Sequence, residues 1–336
     1  MGGTAMEHLM DAIDRRLTEL GLSPISGVVN NREQCTRYIS RILEDHGNKV
    51  AIPFQDTLEQ YDFRVKHVLF SFGLGIVLAP FCHLEDRIQA ACRREAPPSF
   101  LYVWLTVCLY HDFGYFIAPA CRSAASLEAL DLAHPIFDAG YCESRYSRRL
   151  YEAYYREKYA RHGPDSEEVG DHGILGGCVL FDRLWEAGDP HRRPLYQDIC
   201  WRIMEHNIWK REQSLPPEDP FSEIDADRFR PIGLSEPLLY LLSLVDTLEM
   251  TKRFCTYLDS AADKTRYIYP KTLGSKVRVE VTDASITLDS SEMERFIRSN
   301  RYFDGIKAWK RGVTGLPDWV QTAVFQDGGV FTLTQP

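Results

Sequence analysis

Six polar residues interrupt apolar helical segments of this sequence at positions where a core residue would be expected. They comprise four histidines and two aspartates: His67, His111, Asp112, His172, His206 and Asp246. A carboxylate within an apolar helix, such as Asp246 after residues 238–245, is costly to bury unless it is paired or bound to a metal ion. An arginine partner would explain one such aspartate, but a metal ion explains all six residues together, because imidazoles and carboxylates are transition-metal ligands.

The order of these residues along the chain resembles that of the HD-domain superfamily of metal-dependent phosphohydrolases. The family's apolar helix followed by a His-Asp pair resembles residues 109–114, which read LYHDFG. Its two later histidine motifs resemble residues 171–173 (DHG) and 205–207 (EHN), and its closing aspartate helix resembles residues 244–246 (LVD). The resemblance covers about residues 58–258. The five-part order is far more specific than a single His-Asp pair, which recurs by chance.

The resemblance implies two divalent metal ions. The ligands of the first ion would be His67, His111, Asp112 and Asp246. The second ion would be held by His172 and His206, with Asp112 bridging the two ions. Imidazole-rich ligation favours Fe, Mn, Co, Ni or Zn over Mg alone. Because two bridged ions polarise a phosphoryl oxygen and activate a water, the implied activity is hydrolysis of a phosphoester, on a nucleotide or related small molecule, with Asp112 as a catalytic residue.

Tyr115 departs from the family pattern, because many family members have a substrate-contacting lysine after His-Asp-x-Gly. We expect Tyr115 either to act in catalysis as a hydrogen-bond donor or to pack. The cations predicted to bind substrate phosphate are Lys210, Arg211, Lys252, Arg253 and Arg149. Arg149 belongs to the segment 143–161, which has six basic residues against three acidic ones and three tyrosines at helical spacing. A lid over the metals is one interpretation of this segment, and a solvated surface helix is the simpler one.

Two other functions stay open on the residues alone. HD-type di-iron oxygenases, such as myo-inositol oxygenase, have the same order of ligands, and they act on a polyol or a phosphonate with O2. The third interpretation is a metal-bound HD module that senses a nucleotide without turnover, which the tyrosine at position 115 keeps open. The larger number of hydrolases in the superfamily favours hydrolysis, which is an argument from analogy.

Helical periodicity dominates the chain up to about residue 267, with amphipathic helices predicted at residues 6–22 and 32–45. Valines then alternate with polar residues over 277–281, which predicts a strand. The sequence therefore predicts a mainly α protein, an HD-type helical bundle with a small C-terminal α+β subdomain. The predicted domains are an N-terminal helical segment at 1–57, the HD-type domain at 58–265 with an insertion at about 119–165, and the C-terminal subdomain at 266–336.

Composition limits the classes of partner and of cellular location. A formal charge of −9 argues against nucleic acid and anionic membranes, because both would repel the chain overall. The apolar runs fall short of the roughly 20 residues of a membrane helix. Nine cysteines without a CxxC pair suit a reducing compartment better than a disulfide scaffold. We therefore expect a cytoplasmic protein whose partner is a phosphorylated small molecule, and whose oligomeric state the sequence leaves open.

Overall fold

The computed structural model describes residues 6–45, 62–91, 99–116, 172–187, 193–206, 234, 236–251, 269–299, 309–310, 313, 323–326 and 329–335. The chain divides into two compact units. The first combines Met1–Cys108 with Pro231–Pro336, and the second is Leu109–Arg230. Helices make up most of the described residues and five strands form an antiparallel sheet, which confirms the predicted mainly α class with a small α+β part. The predicted domain boundaries stay predictions.

The described helices, in chain order, are α1 (Leu9–Glu19), α2 (Arg32–Asp45), α3 (Asp62–Leu78), α4 (Leu84–Ala91), α5 (Phe100–Tyr110), α6 (His172–Ala187), α7 (Arg193–Glu205), α8 (Pro237–Leu248), α9 (Pro270–Gly274) and α10 (Ser291–Ser299). The described strands are β1 (Glu7–His8), β2 (Arg278–Val281), β3 (Ser285–Asp289), β4 (Ala323–Gln326) and β5 (Val330–Thr334). Two short 3-10 helices, Phe81–His83 and Phe113–Phe116, follow α3 and α5. The second compact unit contains α6, α7 and the end of α5.

Helices α3 and α5 are buried along almost their whole length, as expected of helices with apolar residues on every side. Every residue of α3 from Val65 onward, and of α5 from Tyr102 onward, is buried. The two helices meet where Gly75 leaves room for an indole, because a Cβ at Gly75 would lie 2.1 Å from Cζ2 of Trp104. Trp104 Nε1 also donates a hydrogen bond to the carbonyl of Phe72 at 3.0 Å. The helix that carries the first predicted histidine ligand is thereby fixed in the core of the first unit.

The sheet has the strand order β1-β2-β3-β5-β4, with every neighbouring pair antiparallel. The predicted strand at 277–281 is confirmed by β2. The predicted start of the first helix at residue 6 is wrong, because Glu7 pairs with Val279 in β1 and the helix begins only at Leu9. The Leu9 N–H donates to the carbonyl of Val277 at 2.8 Å. That partner lies far along the chain, so local periodicity cannot reveal it.

A sharp bend joins α3 to α4. Cys82 and His83 both adopt the left-handed backbone conformation there, with φ of 52° and 54°. Arg87 Nε donates to the carbonyl of Cys82 at 2.8 Å, which holds the bend. Among the described residues no single helix is long and apolar enough to cross a membrane, although Val65–Leu78 and Phe81–Ala90, bent by 103°, reach that length and composition as a pair.

Candidate metal site

The second compact unit contains Asp112, which lies two residues after the end of α5. Because α5 is apolar and buried, the chain that continues from it carries His111 and Asp112 into the interior, where they are 1% and 2% exposed. The backbone then turns into the 3-10 helix Phe113–Phe116. A carboxylate at that depth requires hydrogen bonds, a cation or a metal ion. The burial that the sequence indicated for both residues is confirmed.

Glycines bring α6 close to this turn. A Cβ at Gly114 would lie 2.1 Å from the carbonyl oxygen of His172, and a Cβ at Gly176 would lie 2.6 Å from that of Tyr110. A Cβ atom essentially never lies within 3.0 Å of a non-bonded heavy atom of another residue. Any larger residue at either position would therefore push α6 away. The two glycines allow His172, the first residue of α6, to lie beside Asp112.

Two further glycines bring α6 against α7 at backbone distance. A Cβ at Gly173 would lie 2.7 Å from the carbonyl oxygen of Ile203, and one at Gly177 would lie 2.7 Å from that of Cys200. Gly173 also faces the imidazole of His206, whose Cε1 and Nδ1 would each be 2.9 Å from the added Cβ. The glycines of α6 therefore set the spacing between the histidine at its start and the histidine that follows α7.

His206 is fully buried immediately after the last residue of α7. Its Nδ1 lies 2.6 Å from the carbonyl oxygen of Ile203. Because a carbonyl oxygen only accepts hydrogen bonds, Nδ1 carries a proton, and in the neutral imidazole Nε2 then carries the lone pair. An imidazole held in this way presents Nε2 to a cation, which is the usual arrangement of metal-binding histidines.

Asp112, His172 and His206 each bring a ligand atom within 4.8 Å of the other two. Nε2 of His172 lies 3.2 Å from Oδ1 of Asp112. The rings of His172 and His206 meet edge to face, with centroids 5.2 Å apart. His111 lies next to the group, with its Nε2 3.7 Å from Oδ1 of Asp112. One carboxylate with two imidazoles, of which that of His206 is oriented by its hydrogen bond to Ile203, is a donor set that fits a divalent transition-metal ion.

The first compact unit contributes His67 on α3 and Asp246 on α8. Both are buried, at 0% and 9% exposure, and a ligand atom of each lies within 4.8 Å of the other. Nδ1 of His67 also lies 2.8 Å from Oε2 of Glu249. The other predicted ligands of the first ion, His111 and Asp112, belong to the second unit. The complete ligand set of that ion therefore stays a prediction.

Glu249 is a buried carboxylate that the sequence analysis did not single out. It follows Leu248, the last residue of α8, and is 1% exposed. The sequence contains one signal, because Glu249 lies between the apolar residues Leu248 and Met250. Glu249, like Asp246 three residues earlier, is a carboxylate beside apolar residues, where burial is costly without a partner. Its place at a helix end concealed it, since polar residues at helix ends usually face solvent.

The remaining predicted site residues are outside the part of the chain whose side chains the structure describes. Tyr115 belongs to the 3-10 helix Phe113–Phe116, of which the structure describes the backbone but not the Tyr115 side chain. The insertion at 119–165 lies outside the described residues altogether. So do the predicted phosphate-binding cations Lys210, Arg211, Lys252, Arg253 and Arg149. Their roles stay predictions.

Comparison of the chain with protein-family models, with curated proteins and with solved structures finds no match. The family resemblance therefore rests on the order of the ligand residues alone.

Proposed function

We propose that this protein is a metal-dependent phosphohydrolase of the HD type, which hydrolyses a phosphoester of a nucleotide or a related small molecule. The observation that carries the proposal is the group formed by Asp112, His172 and His206, whose ligand atoms lie within 4.8 Å of one another. The order of the ligands along the chain supports the choice of hydrolysis. The cofactor proposed is a pair of divalent ions from the series Fe, Mn, Co, Ni and Zn.

In the second unit, Asp112 supplies negative charge and the two imidazoles supply neutral donors. A divalent ion held by these three residues would supply polarisation of a phosphoryl oxygen and a water of lowered pKa. His206 offers only Nε2 to this chemistry, since its Nδ1 donates to the carbonyl of Ile203. The side chain of His172 is 14% exposed, against 2% for Asp112. We therefore expect the substrate to approach from the side of His172.

The first ion of the predicted pair would take His67, His111 and Asp246 as ligands and share Asp112 with the second. These residues belong to both compact units. What supports this part of the proposal is their order along the chain, together with the buried pair of His67 and Asp246 in the first unit. With both ions bound, the protein would hold about two equivalents of metal per chain, as two-metal hydrolases do.

An iron-dependent oxygenase acting on a polyol or a phosphonate is the second candidate. Two histidines and one carboxylate are the ligands with which non-haem iron oxygenases leave coordination positions open. The group of Asp112, His172 and His206 has this composition. Because hydrolases use the same donor types, the identity of the metal and the consumption of O2 distinguish the two candidates.

The first test is the metal content of protein purified without oxygen, with the wild type beside Asp112→Ala. We expect about two equivalents in the wild type and none in the variant, because Asp112 is the shared ligand of a bridged pair. Asp182→Ala is the matched control, since Asp182 is an exposed aspartate on α6 of the same unit. It should keep its metal. An Asp112→Ala variant that retains the wild-type metal content would contradict the assignment.

Activity assays on the same three proteins then separate the candidates. Hydrolysis of bis(p-nitrophenyl) phosphate, p-nitrophenyl phosphate or a nucleotide, lost in Asp112→Ala and kept in Asp182→Ala, would support the phosphohydrolase. Consumption of O2 with a polyol or a phosphonate, without phosphoester hydrolysis, would replace it with the oxygenase. Bound metal with neither reaction would favour a nucleotide-sensing module over both enzymes.

A further inference from the structure

Glu249 stands outside the predicted ligand set, yet its carboxylate is as deeply buried as any ligand. The side chains of Glu249 and His67 are both 0% exposed. Oε2 of Glu249 lies 2.8 Å from Nδ1 of His67. Oε1 accepts from the backbone N–H of Thr251 at 2.7 Å and also from the Thr251 hydroxyl. Donors of this kind offset the cost of burying an ionised carboxylate. Oε2 therefore faces His67, while Oε1 accepts the hydrogen bonds from Thr251.

The end of α8 aims this carboxylate at His67. The helix stops at Leu248, and the backbone of Glu249 is extended, with φ −64° and ψ 124°. The carbonyl of Leu248 accepts a hydrogen bond from the Trp309 indole at 3.1 Å. The N–H of Glu249 donates to the carbonyl of Val245 at 2.8 Å. These two hydrogen bonds fix the backbone at Leu248 and Glu249, and so fix the position from which the Glu249 side chain extends toward His67.

We propose that Glu249, held by Thr251, is a positioning residue that keeps His67 in the tautomer with the proton on Nδ1 and the lone pair on Nε2. A carboxylate only accepts hydrogen bonds, so Nδ1 must donate. A histidine that donates its other ring N–H to a carboxylate is oriented and becomes a more basic metal ligand. The inference rests on the proposed function for the role of His67 as a ligand, whereas the tautomer is a property of the metal-free protein.

Glu249→Gln is the discriminating variant because it keeps the shape of the side chain and changes its hydrogen-bonding pattern. Both carboxylate oxygens accept, whereas an amide has a single oxygen. The Thr251 N–H belongs to the backbone and cannot turn away, so the amide oxygen should face it. The amide NH2 then faces His67, whose Nδ1 has to accept. The proton therefore moves to Nε2, the nitrogen that a metal ion requires.

The tautomer is measured first, by long-range 1H–15N spectra of the full chain, labelled with 15N-histidine and free of metal. His67→Ala identifies the signal of His67. We expect the proton on Nδ1 in the wild type, in Glu249→Asp, which keeps both oxygens, and in Glu44→Gln, which changes an exposed glutamate of α2. In Glu249→Gln we expect the proton on Nε2. A wild-type His67 protonated on Nε2, or an unchanged tautomer in Glu249→Gln, overturns the inference.

Cobalt(II) binding to the same proteins gives the second readout. Glu249→Gln should bind one of the ions about 10- to 100-fold more weakly, which is the usual effect of losing a partner of a ligand histidine. Glu249→Asp should recover part of the affinity and Glu44→Gln should equal the wild type. Wild-type affinity in Glu249→Gln overturns the inference. A wild type that binds no cobalt overturns the proposed function instead, and the tautomer spectra still decide the role of Glu249.

Thr251→Val keeps the test decisive if Glu249→Gln does not fold, as judged by circular dichroism. Valine retains the backbone N–H and the shape of threonine but removes the hydroxyl donor to Oε1. We expect a loss of cobalt affinity in the same direction as in Glu249→Gln, and smaller, with the stability of the fold preserved. Unchanged cobalt affinity in a folded Thr251→Val protein, together with unchanged affinity in Glu249→Asp, overturns the inference.

Discussion

His206 and His67 lie one in each compact unit, and both imidazoles are fully buried. Nδ1 of His206 faces the carbonyl of Ile203, three residues earlier, at 2.6 Å. Nδ1 of His67 faces the carboxylate of Glu249, 182 residues later, at 2.8 Å. The first acceptor is neutral and local, and it belongs to the backbone. The second is a charged side chain that only tertiary structure brings to the histidine.

Because the two acceptors differ, different kinds of substitution should disturb the geometry around each histidine. The carbonyl of Ile203 exists whatever side chain occupies that position, so the geometry around His206 depends on how closely α6 packs against its neighbours through glycines. The carboxylate of Glu249 exists only as a side chain, and it needs the donors of Thr251. We therefore expect the surroundings of His206 to respond to changes of side-chain volume, and the surroundings of His67 to changes of hydrogen-bonding chemistry.

Gly114→Ala should break the second region and have the largest effect. The added methyl group would lie 2.1 Å from the carbonyl oxygen of His172, so α6 must move and carry His172 away from Asp112. We expect loss of the metal bound by the second unit and a decrease of about 1–3 kcal/mol in the free energy of unfolding, as overpacking produces. Metal analysis and urea unfolding measure the two effects.

Gly27→Ala is the matched control for this substitution. A Cβ at Gly27 would meet no atom within 4 Å. Its metal content and its free energy of unfolding should therefore both be close to those of the wild type. If Gly114→Ala kept the full metal content, the second unit would not depend on volume in the way proposed, and the contrast between the two regions would fail.

Ile203→Val removes a buried methylene and leaves the backbone carbonyl that accepts the hydrogen bond from His206. We expect a decrease of about 0.5–1.5 kcal/mol in the free energy of unfolding, as for other buried Ile→Val changes. Cobalt(II) affinity should stay at the wild-type value. Glu249→Gln should show the opposite pattern: cobalt(II) binds more weakly, although the substitution removes no carbon atom and leaves no cavity. Equal loss of cobalt affinity in the two variants would contradict the prediction that only the side-chain acceptor of His67 is sensitive to substitution.

The smallest effect concerns a group in the first unit that is buried in its neutral form. Burial raises the pKa of the Cys82 thiol from 9.0 to about 11, and Arg87 only partly opposes this. Between these values the unfolded chain loses the proton and the folded chain keeps it, so stability falls as the pH rises through this window. Cys82→Ala should make that fall less steep in urea unfolding measured from pH 9 to 11, with neutral pH as the reference. An identical slope in the variant would show that the thiol ionises normally in the folded protein.

Local pattern predicted the class of the fold and the burial of every candidate ligand except His172, which is partly exposed. Asp246 follows a run of eight residues in which only Ser243 is polar, and such a run predicts the helix α8 that contains it. The valine alternation at 277–281 likewise predicted β2. The same reading missed β1, which exists because Glu7 pairs with Val279 at the other end of the chain. It also missed Glu249, whose burial depends on what packs over the end of α8.

By itself, the sequence determined which residues are costly to bury, because desolvation depends on residue type and on the apolar residues around it in the chain. That was enough to select His67, Asp112 and Asp246. Only the tertiary structure decided their partners. It brought Glu249 to His67 across 182 residues and Gly114 to the backbone of His172. Hydrogen bonds and close backbone approaches join segments that meet in space, and a local pattern contains no information about which segments meet.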